Sequence, residues 1–165
     1  MIKNLLSIDP GDTTGWAWWG QDDVIHLPPK TGELKLKGRH SYEHDLFSLK
    51  CKMHDLLREC QPEVMVIEGV ELWAGSLRSM TSAKRGNTFK LAYLVGVYAC
   101  LGFVQGCQVR IIPARVWKGQ MPLPVLEVRV NNVVGATWKS DHITNAVGLG
   151  LSVNGLLNVK ERRGA

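Results

Sequence analysis

The stretch Leu5–Trp19, with the sequence LLSIDPGDTTGWAWW, decides how the rest of the chain is interpreted. An apolar run delivers one carboxylate, Asp9, into a Pro-Gly turn, which is typical of a buried strand that ends in a tight connection. A second apolar run, Trp16–Trp19, then leaves the turn and predicts a neighbouring antiparallel strand. Asp-Pro-Gly is ordinary turn chemistry, so Asp9 taken alone is interpreted as a turn aspartate.

Length and composition predict one globular domain. The chain has 165 residues, of which 45% are hydrophobic and 21% charged, as in an ordinary domain that buries its own core. We expect a single domain over residues 1–165, with residues 158–165 as a peripheral tail. The net charge of +5 suits a polyanionic partner, but it equally suits a solvated basic face.

Cysteine spacing and hydropathy indicate the cellular setting. No two of the four cysteines have the C-x-x-C spacing of a zinc site, so we expect reduced thiols in a cytosolic protein. The N-terminus shows no signal-peptide pattern, and the longest apolar stretch, around residues 91–104, is shorter than a bilayer span. We therefore expect a cytoplasmic protein without a membrane partner.

The apolar runs predict an α/β protein with a five-stranded sheet. Val24–Leu27 is expected to complete an antiparallel three-strand meander, and the Pro-, Gly- and Lys-rich residues 28–40 are expected to form a mobile loop. Val64–Ile67 is a continuous apolar run typical of a central parallel strand, and Val109–Ile112 is expected to form another short strand. The predicted sheet is therefore mixed.

Helical periodicity occupies the intervals between the later strands. Ser41 is a predicted N-cap for an amphipathic helix that ends at Gln61-Pro62. The helix around Phe89–Leu101 is apolar nearly all round, which indicates either deep burial or a covering partner. The remaining segments are a short helix from Pro113, residues 127–134, which fit helix or strand, and a buried final helix over residues 140–153.

Further polar residues lie at the edges of apolar elements. Glu68 follows a buried strand, where a lone charge is rare unless it is paired or bound to metal. Asp141, His142 and Asn145 begin the final helix, and each taken alone fits a capping or solvent-facing role. Together with Asp9 they predict a site for two Mg²⁺ ions, for which Mn²⁺ would substitute, because hard oxygen ligands suit these ions. In this interpretation Asp9 bridges the ions, Glu68 holds one, and the helix turn completes the second site or orients the water.

Three segments resemble the motifs of RuvC-type Holliday-junction resolvases, within the RNase H-like superfamily. Ile8–Gly11 followed by Thr14-Gly15 resembles the first motif, Val66–Glu68 the second, and His142–Ala146 the third. The segment with Trp117-Lys118-Gly119 is similar to a connecting segment of phage and bacterial members, and the resemblance covers residues 4–152. It implies an RNase H-like fold, with a central mixed five-stranded sheet flanked by helices. It also implies an Mg²⁺-dependent endonuclease that resolves four-way junctions by paired symmetric nicks in a bacterial or phage-infected cell.

One position departs from the family pattern. The third motif has Asp where this chain has Asn145, and a neutral amide is a weaker metal ligand. Either the chain is a natural variant that depends on Asp141 and His142, or Asp was changed to Asn to trap a substrate complex. We favour the second hypothesis, because the residues around Asn145 keep the active pattern.

The resemblance further implies a homodimer on branched DNA, with the Phe89–Leu101 helix as the interface. Leu72 and Trp73 are candidates to wedge or stack at the branch point, although Trp73 also fits a core aromatic. Phosphate contacts are expected from basic side chains that would otherwise be a solvated surface. These are Arg78, Lys84, Arg85 and Lys90, with Lys118 fitting either a scissile-phosphate contact or an ordinary helix surface.

Two other functions remain open at this point. One is an RNase H-like nuclease that cuts other branched DNA, such as flaps or forks. The other is a catalytically degenerate DNA-binding protein of the same fold, which Asn145 would permit. Cleavage of flaps as efficient as that of junctions favours the first, and junction binding without cleavage favours the second.

Overall fold

A five-stranded mixed sheet forms the centre of the protein in a computed structural model, which describes residues 2–20, 27–36, 41–71 and 87–157. The strands are β1 (Leu5–Asp9), β2 (Thr13–Trp18), β3 (Lys30–Lys35), β4 (Val64–Gly69) and β5 (Gln108–Pro113). Their order in the sheet is β3-β2-β1-β4-β5. Strand β2 is antiparallel to both β1 and β3, whereas β4 and β5 run parallel to β1. The predicted mixed α/β sheet is therefore confirmed.

The third strand lies further along the chain than the sequence pattern indicated. A strand was predicted at Val24–Leu27, of which residues 24–26 lie outside the described residues. Leu27 is exposed and not in a strand, so the prediction is wrong for this residue. Part of the predicted loop 28–40 is instead β3. This strand pairs only with β2 at the sheet edge and none of its residues is fully buried, so its sequence lacks apolar alternation. Gly32 is required there, because a Cβ would lie 2.6 Å from the ring of Trp16.

Five helices flank the sheet in the described part of the chain. The first helix, α1 (Tyr42–Cys60), begins after Ser41, whose hydroxyl accepts a hydrogen bond from the backbone nitrogen of His44 at 3.4 Å. It ends before Gln61, which adopts a left-handed conformation with φ 44°, so both predicted ends are confirmed. The helices are α1 (Tyr42–Cys60), α2 (Asn87–Val104), α3 (Ala114–Trp117), α4 (Leu123–Val134) and α5 (Asp141–Val153).

Two apolar cores lie on opposite faces of the sheet. On one face α1 and α2 cover side chains such as Ile8 and Ile67. On the other face α4 and α5 cover Val66 and the large ring of Trp19. Helix α5 lies very close to the sheet, since a Cβ on Gly150 would overlap the Trp19 ring. The small residues of α5 therefore allow close packing, and the predicted burial of this helix is confirmed.

Helix α2 is only partly buried. Leu94, Val95 and Tyr98 face the core, whereas the opposite side exposes aromatic rings. Among the described residues, α2 alone is long and apolar enough to cross a membrane, a criterion that buried helices of soluble proteins also meet. Its packing against β4, β5 and α1 identifies it as a helix of the core with one uncovered face.

Candidate active site

Two carboxylates lie at the same edge of the sheet. Asp9 is the last residue of β1, and Glu68 is the penultimate residue of β4. These parallel strands are neighbours with Ile8 paired to Ile67, so the two acids follow at equivalent positions. Their side chains are only 10% and 17% exposed. Carboxylates buried to this extent need polar or charged partners.

Helix α5 supplies partners to Asp9 because β2 carries a glycine where the two elements meet. A Cβ on Gly15 would overlap the carbonyl group of His142 and lie 2.8 Å from the nitrogen of Ile143. Because α5 lies this close to β2, Nδ1 of His142 lies 2.8 Å from Oδ2 of Asp9. Nδ2 of Asn145 donates to the same oxygen at 3.4 Å. The missing side chain at Gly15 thus sets the distance between helix and carboxylate.

The turn that follows Asp9 is fixed by a buried hydroxyl group. Oγ1 of Thr14 donates to the carbonyl oxygen of Gly11 at 2.9 Å and accepts from its nitrogen at 3.3 Å. The hydroxyl of Tyr98, on α2, lies 3.0 Å from the same Thr14 oxygen. Both side chains are fully buried, and burial raises the pKa of Tyr98 to about 12. The turn beside Asp9 is therefore tied to α2.

Helix α3 and the residue after it supply partners to Glu68. Nε1 of Trp117 donates to Oε2 of Glu68 at 3.0 Å, and Nζ of Lys118 lies 3.4 Å from the same oxygen. Lys118 also donates to Oδ1 of Asn145 at 3.0 Å. One continuous network therefore runs from Glu68 through Lys118 and Asn145 to Asp9 and His142.

The electrostatics of the network reflect two nearby acids in a mostly buried site. Burial, followed by repulsion from Asp9, raises the pKa of Glu68, while Lys118 and Trp117 oppose this rise. The hydrogen bond to Asp9 raises the pKa of His142 against the smaller effect of burial. The site therefore favours positive charge beside Asp9.

Comparison with known proteins identifies the fold. No protein-family model and no curated protein sequence matches the chain. Among solved structures, Thermus thermophilus RuvC in complex with a Holliday junction matches with a TM-score of 0.69 at 13% identity, over 90% of each chain. A second Thermus thermophilus RuvC structure matches with a TM-score of 0.66 at 14% identity, again over 90% of each chain.

The chain has the RuvC fold. At this identity the likeness concerns the fold, and it agrees with the mixed five-stranded sheet flanked by helices that the resemblance implied. The site network lies among elements of the chain, β1, β4 and α5, that carry the three motif-like segments.

Within the RuvC fold, most of the predicted DNA-contact residues are not described. Lys90 is exposed in the first turn of α2, with Nζ 5.3 Å from the ring centre of Tyr42. Lys118, in contrast, is only 19% exposed and belongs to the carboxylate network. The predictions for Leu72, Trp73, Arg78, Lys84 and Arg85 lie outside the described residues.

Asp141 and Asn145 differ in their placement. Asp141 is the first residue of α5 and is exposed. Its charge acts on the site electrostatically, because the negative charge of Asp141 helps to raise the pKa of His142. Asn145 instead bonds both Asp9 and Lys118. The structure thus brings together Asp9, Glu68, His142 and Asn145, with Asp141 at the rim.

Sequence reasoning did not find two residues that shape the site. Trp117 was noted only as part of a motif, yet its ring is buried and orients Glu68. Ser7 lies within the apolar run of β1, and its Oγ donates to the carbonyl oxygen of Ala146 on α5 at 2.7 Å. A single serine within an otherwise apolar, buried strand was the sequence feature that could have predicted this hydrogen bond between β1 and α5.

The donor chemistry of the site suits a hard divalent cation at Asp9 and Glu68. The hydrogen bonds described above engage one oxygen of each carboxylate, Oδ2 of Asp9 and Oε2 of Glu68, and the repulsion between these acids is what a hard cation relieves. Across the described residues, no three His, Cys, Asp or Glu side chains are arranged to hold a metal ion. The amide oxygen of Asn145 is moreover bonded to Lys118. The structure therefore shows no three-ligand metal site in these regions, and the number of ions stays a prediction.

Proposed function

We propose that this protein is a structure-selective DNA endonuclease that acts on four-way junctions in the presence of Mg²⁺, with Mn²⁺ as a substitute. The observation that carries the proposal is the network joining Asp9 of β1 to Glu68 of β4 through residues of α5 and of the segment after α3. The RuvC fold supports the substrate class, because one structural neighbour was solved in complex with a Holliday junction.

Asp9 and Glu68 are the proposed metal ligands. A bound divalent ion would polarise the phosphodiester and lower the pKa of an attacking water. Asp9 also orients the ring of His142 through Nδ1, which leaves Nε2 as the nitrogen able to exchange a proton with solvent. The 41% exposure of the His142 side chain is consistent with that role.

Asn145 limits the proposed activity. Its amide contributes no charge, and its oxygen is bonded to Lys118. We propose that Asn145→Asp increases Mg²⁺-dependent cleavage by orders of magnitude, whether the asparagine is natural or introduced. The same observation favours a second candidate function for the chain as it stands, namely junction binding with little or no cleavage.

A homodimer is the proposed assembly, and the uncovered face of α2 is the proposed interface. Phe89, Tyr93, Gly96, Cys100 and Phe103 are all exposed and recur at intervals of four and three residues, the spacing of a helix that packs along a second helix. The rings of Phe89, Tyr93 and Phe103 are each more than 60% exposed, and a continuous apolar stripe of this kind is typical of an interface. A second copy of the chain would place two sites on one junction.

Cleavage of defined substrates tests the proposed function. The chain, Asn145→Asp and the double variant Asn145→Asp with Asp9→Asn are incubated with Mg²⁺ or Mn²⁺ and a four-way junction, a flap or a plain duplex. We expect junction-selective cleavage by Asn145→Asp that the added Asp9→Asn abolishes. Equal cleavage of flaps would support a general branched-DNA nuclease. Junction binding without cleavage by any variant would support the binding function.

Sedimentation measurements test the proposed assembly. Tyr93→Glu places a charge in the middle of the α2 stripe and should convert a dimer to a monomer. Phe47→Glu, on α1, is the matched control, because Phe47 is 63% exposed and lies outside the stripe. A monomeric unaltered chain, or equal effects of the two variants, would contradict the assignment of the interface.

A further inference from the structure

The amino group of Lys118 occupies an unusual position in the network. Nζ lies 3.4 Å from Oε2 of Glu68 and 3.0 Å from Oδ1 of Asn145, and the side chain is only 19% exposed. It also lies 4.9 Å from the ring centre of Trp117. A lysine is normally a solvated surface charge, so its enclosure between two oxygen acceptors indicates a specific role for this cation.

The fixed charges of the site limit how many further cations it can accept. Asp9 and Glu68 contribute −2, Asn145 contributes none, and Lys118 contributes +1, which gives −1 in total without His142 and without the exposed Asp141 at the rim. One divalent ion brings this sum to +1, whereas two ions would bring it to +3. Such an excess of positive charge in a mostly buried site is strongly unfavourable.

We propose that Lys118 is a resident cation that takes the place of a second metal ion, so that the site binds a single divalent ion at Asp9 and Glu68. The pairing of Lys118 with Asn145 fits this role, because the neutral amide accepts a hydrogen bond from the ammonium group through its oxygen. This inference rests on the proposed function only for the identity of the reaction, because the number of bound ions is measurable without DNA.

The arrangement also predicts how the ion count changes when the charges are changed. Asn145→Asp lowers the sum to −2, which one divalent ion neutralises, so this variant should bind one ion more tightly. Adding Lys118→Met lowers the sum to −3 and removes the ammonium group, so the double variant should bind two ions. Lys118→Arg keeps the charge and should still bind one.

Titration of the folded 165-residue protein with MnCl₂ tests the inference. Binding is followed by calorimetry and by the signal of free Mn²⁺ in electron paramagnetic resonance. The unaltered chain should bind one ion at this site, and Asp9→Asn should lose it. Lys118→Met alone should bind at least about tenfold more tightly, since a unit charge within 4–6 Å shifts a charged equilibrium by about one to three powers of ten. Lys50→Met is the charge-matched control, because Lys50 lies on α1, on the opposite face of the sheet, next to Phe47.

Three results would overturn the inference. These are two ions bound by the unaltered chain, an affinity of Lys118→Met within twofold of that of Lys50→Met, or one ion still bound by the double variant. Circular dichroism of each variant establishes that the fold is retained. If the ion counts are as expected but no variant cuts DNA, the proposed function fails while the role of Lys118 stands, so the two failures are distinguishable.

Discussion

Gly15→Ala is expected to displace the start of α5 from Asp9. The added Cβ would overlap the carbonyl group of His142 and lie 2.8 Å from the nitrogen of Ile143. That nitrogen alone must retreat by about 0.6 Å to reach the 3.4 Å of ordinary van der Waals contact. Both obstructing groups are backbone, so a change of rotamer cannot relieve the overlap, and the first turn of the helix has to move.

The displacement has a thermodynamic and a local consequence. Overpacking of this kind costs about 1–3 kcal/mol, and each kcal/mol lowers the melting temperature of a domain of this size by about 2–4 °C. The 2.8 Å contact between His142 and Asp9 would lengthen as well. Because that hydrogen bond is the main cause of the raised pKa of His142, the pKa should fall towards its ordinary value of 6.5.

The assay combines calorimetric melting with a titration of the His142 ring followed by nuclear magnetic resonance. Gly102→Ala is the matched control, since its Cβ would lie 2.7 Å from Sδ of Met65 and 2.8 Å from Cγ2 of Val109 on the other face of the sheet. It should lower the melting temperature but leave the pKa of His142 raised. An unchanged melting temperature and His142 pKa in Gly15→Ala would refute the reasoning.

Two further substitutions test buried hydrogen bonds of the site. Tyr98→Phe removes the hydroxyl bonded to Thr14 and should cost about 1 kcal/mol near pH 7. Because the pKa of Tyr98 is raised to about 12, its contribution to stability is complete below pH 10 and falls by about 3 kcal/mol as pH rises from 10 to 12. The deficit of Tyr98→Phe in urea denaturation should therefore shrink and then reverse over that interval, and a constant deficit would contradict the assignment. Trp117→Phe removes the hydrogen-bond donor to Glu68, so the pKa of Glu68 should rise further. The pH midpoint of Mn²⁺ binding should then move upward. An unchanged midpoint would mean that the indole does not affect the pKa of this carboxylate.

Most of the fold follows from apolar patterning. The runs that become β1, β2 and β4 are apolar because these strands lie inside the sheet, under helices. Strand β3 was not predicted because this edge strand has little apolar surface to bury, whereas the other edge strand, β5, packs Val109 and Ile112 against the cores. Gly32, which looked like a loop residue, is instead where the Trp16 ring crosses β3.

The candidate site could be predicted only in part. Asp9 and Glu68 could be paired from sequence, because the carboxyl ends of neighbouring parallel strands share one edge of a sheet. The bonds of Lys118 to Glu68 and Asn145 could not, since they depend on where the segment after α3 meets α5 in space. The exposure of Asp141 likewise depends on the rotation of α5, which a sequence pattern does not determine.

Mapping of nicks on a four-way junction tests the central claim most directly. Each strand of an immobile junction is end-labelled in turn and incubated with Asn145→Asp in Mg²⁺, with Asp9→Asn added as the inactive control. The account predicts paired nicks at symmetric positions in two opposed strands, all of which disappear when Asp9 is replaced. Nicks in a single strand, or cleavage that persists without the carboxylate of Asp9, would contradict it.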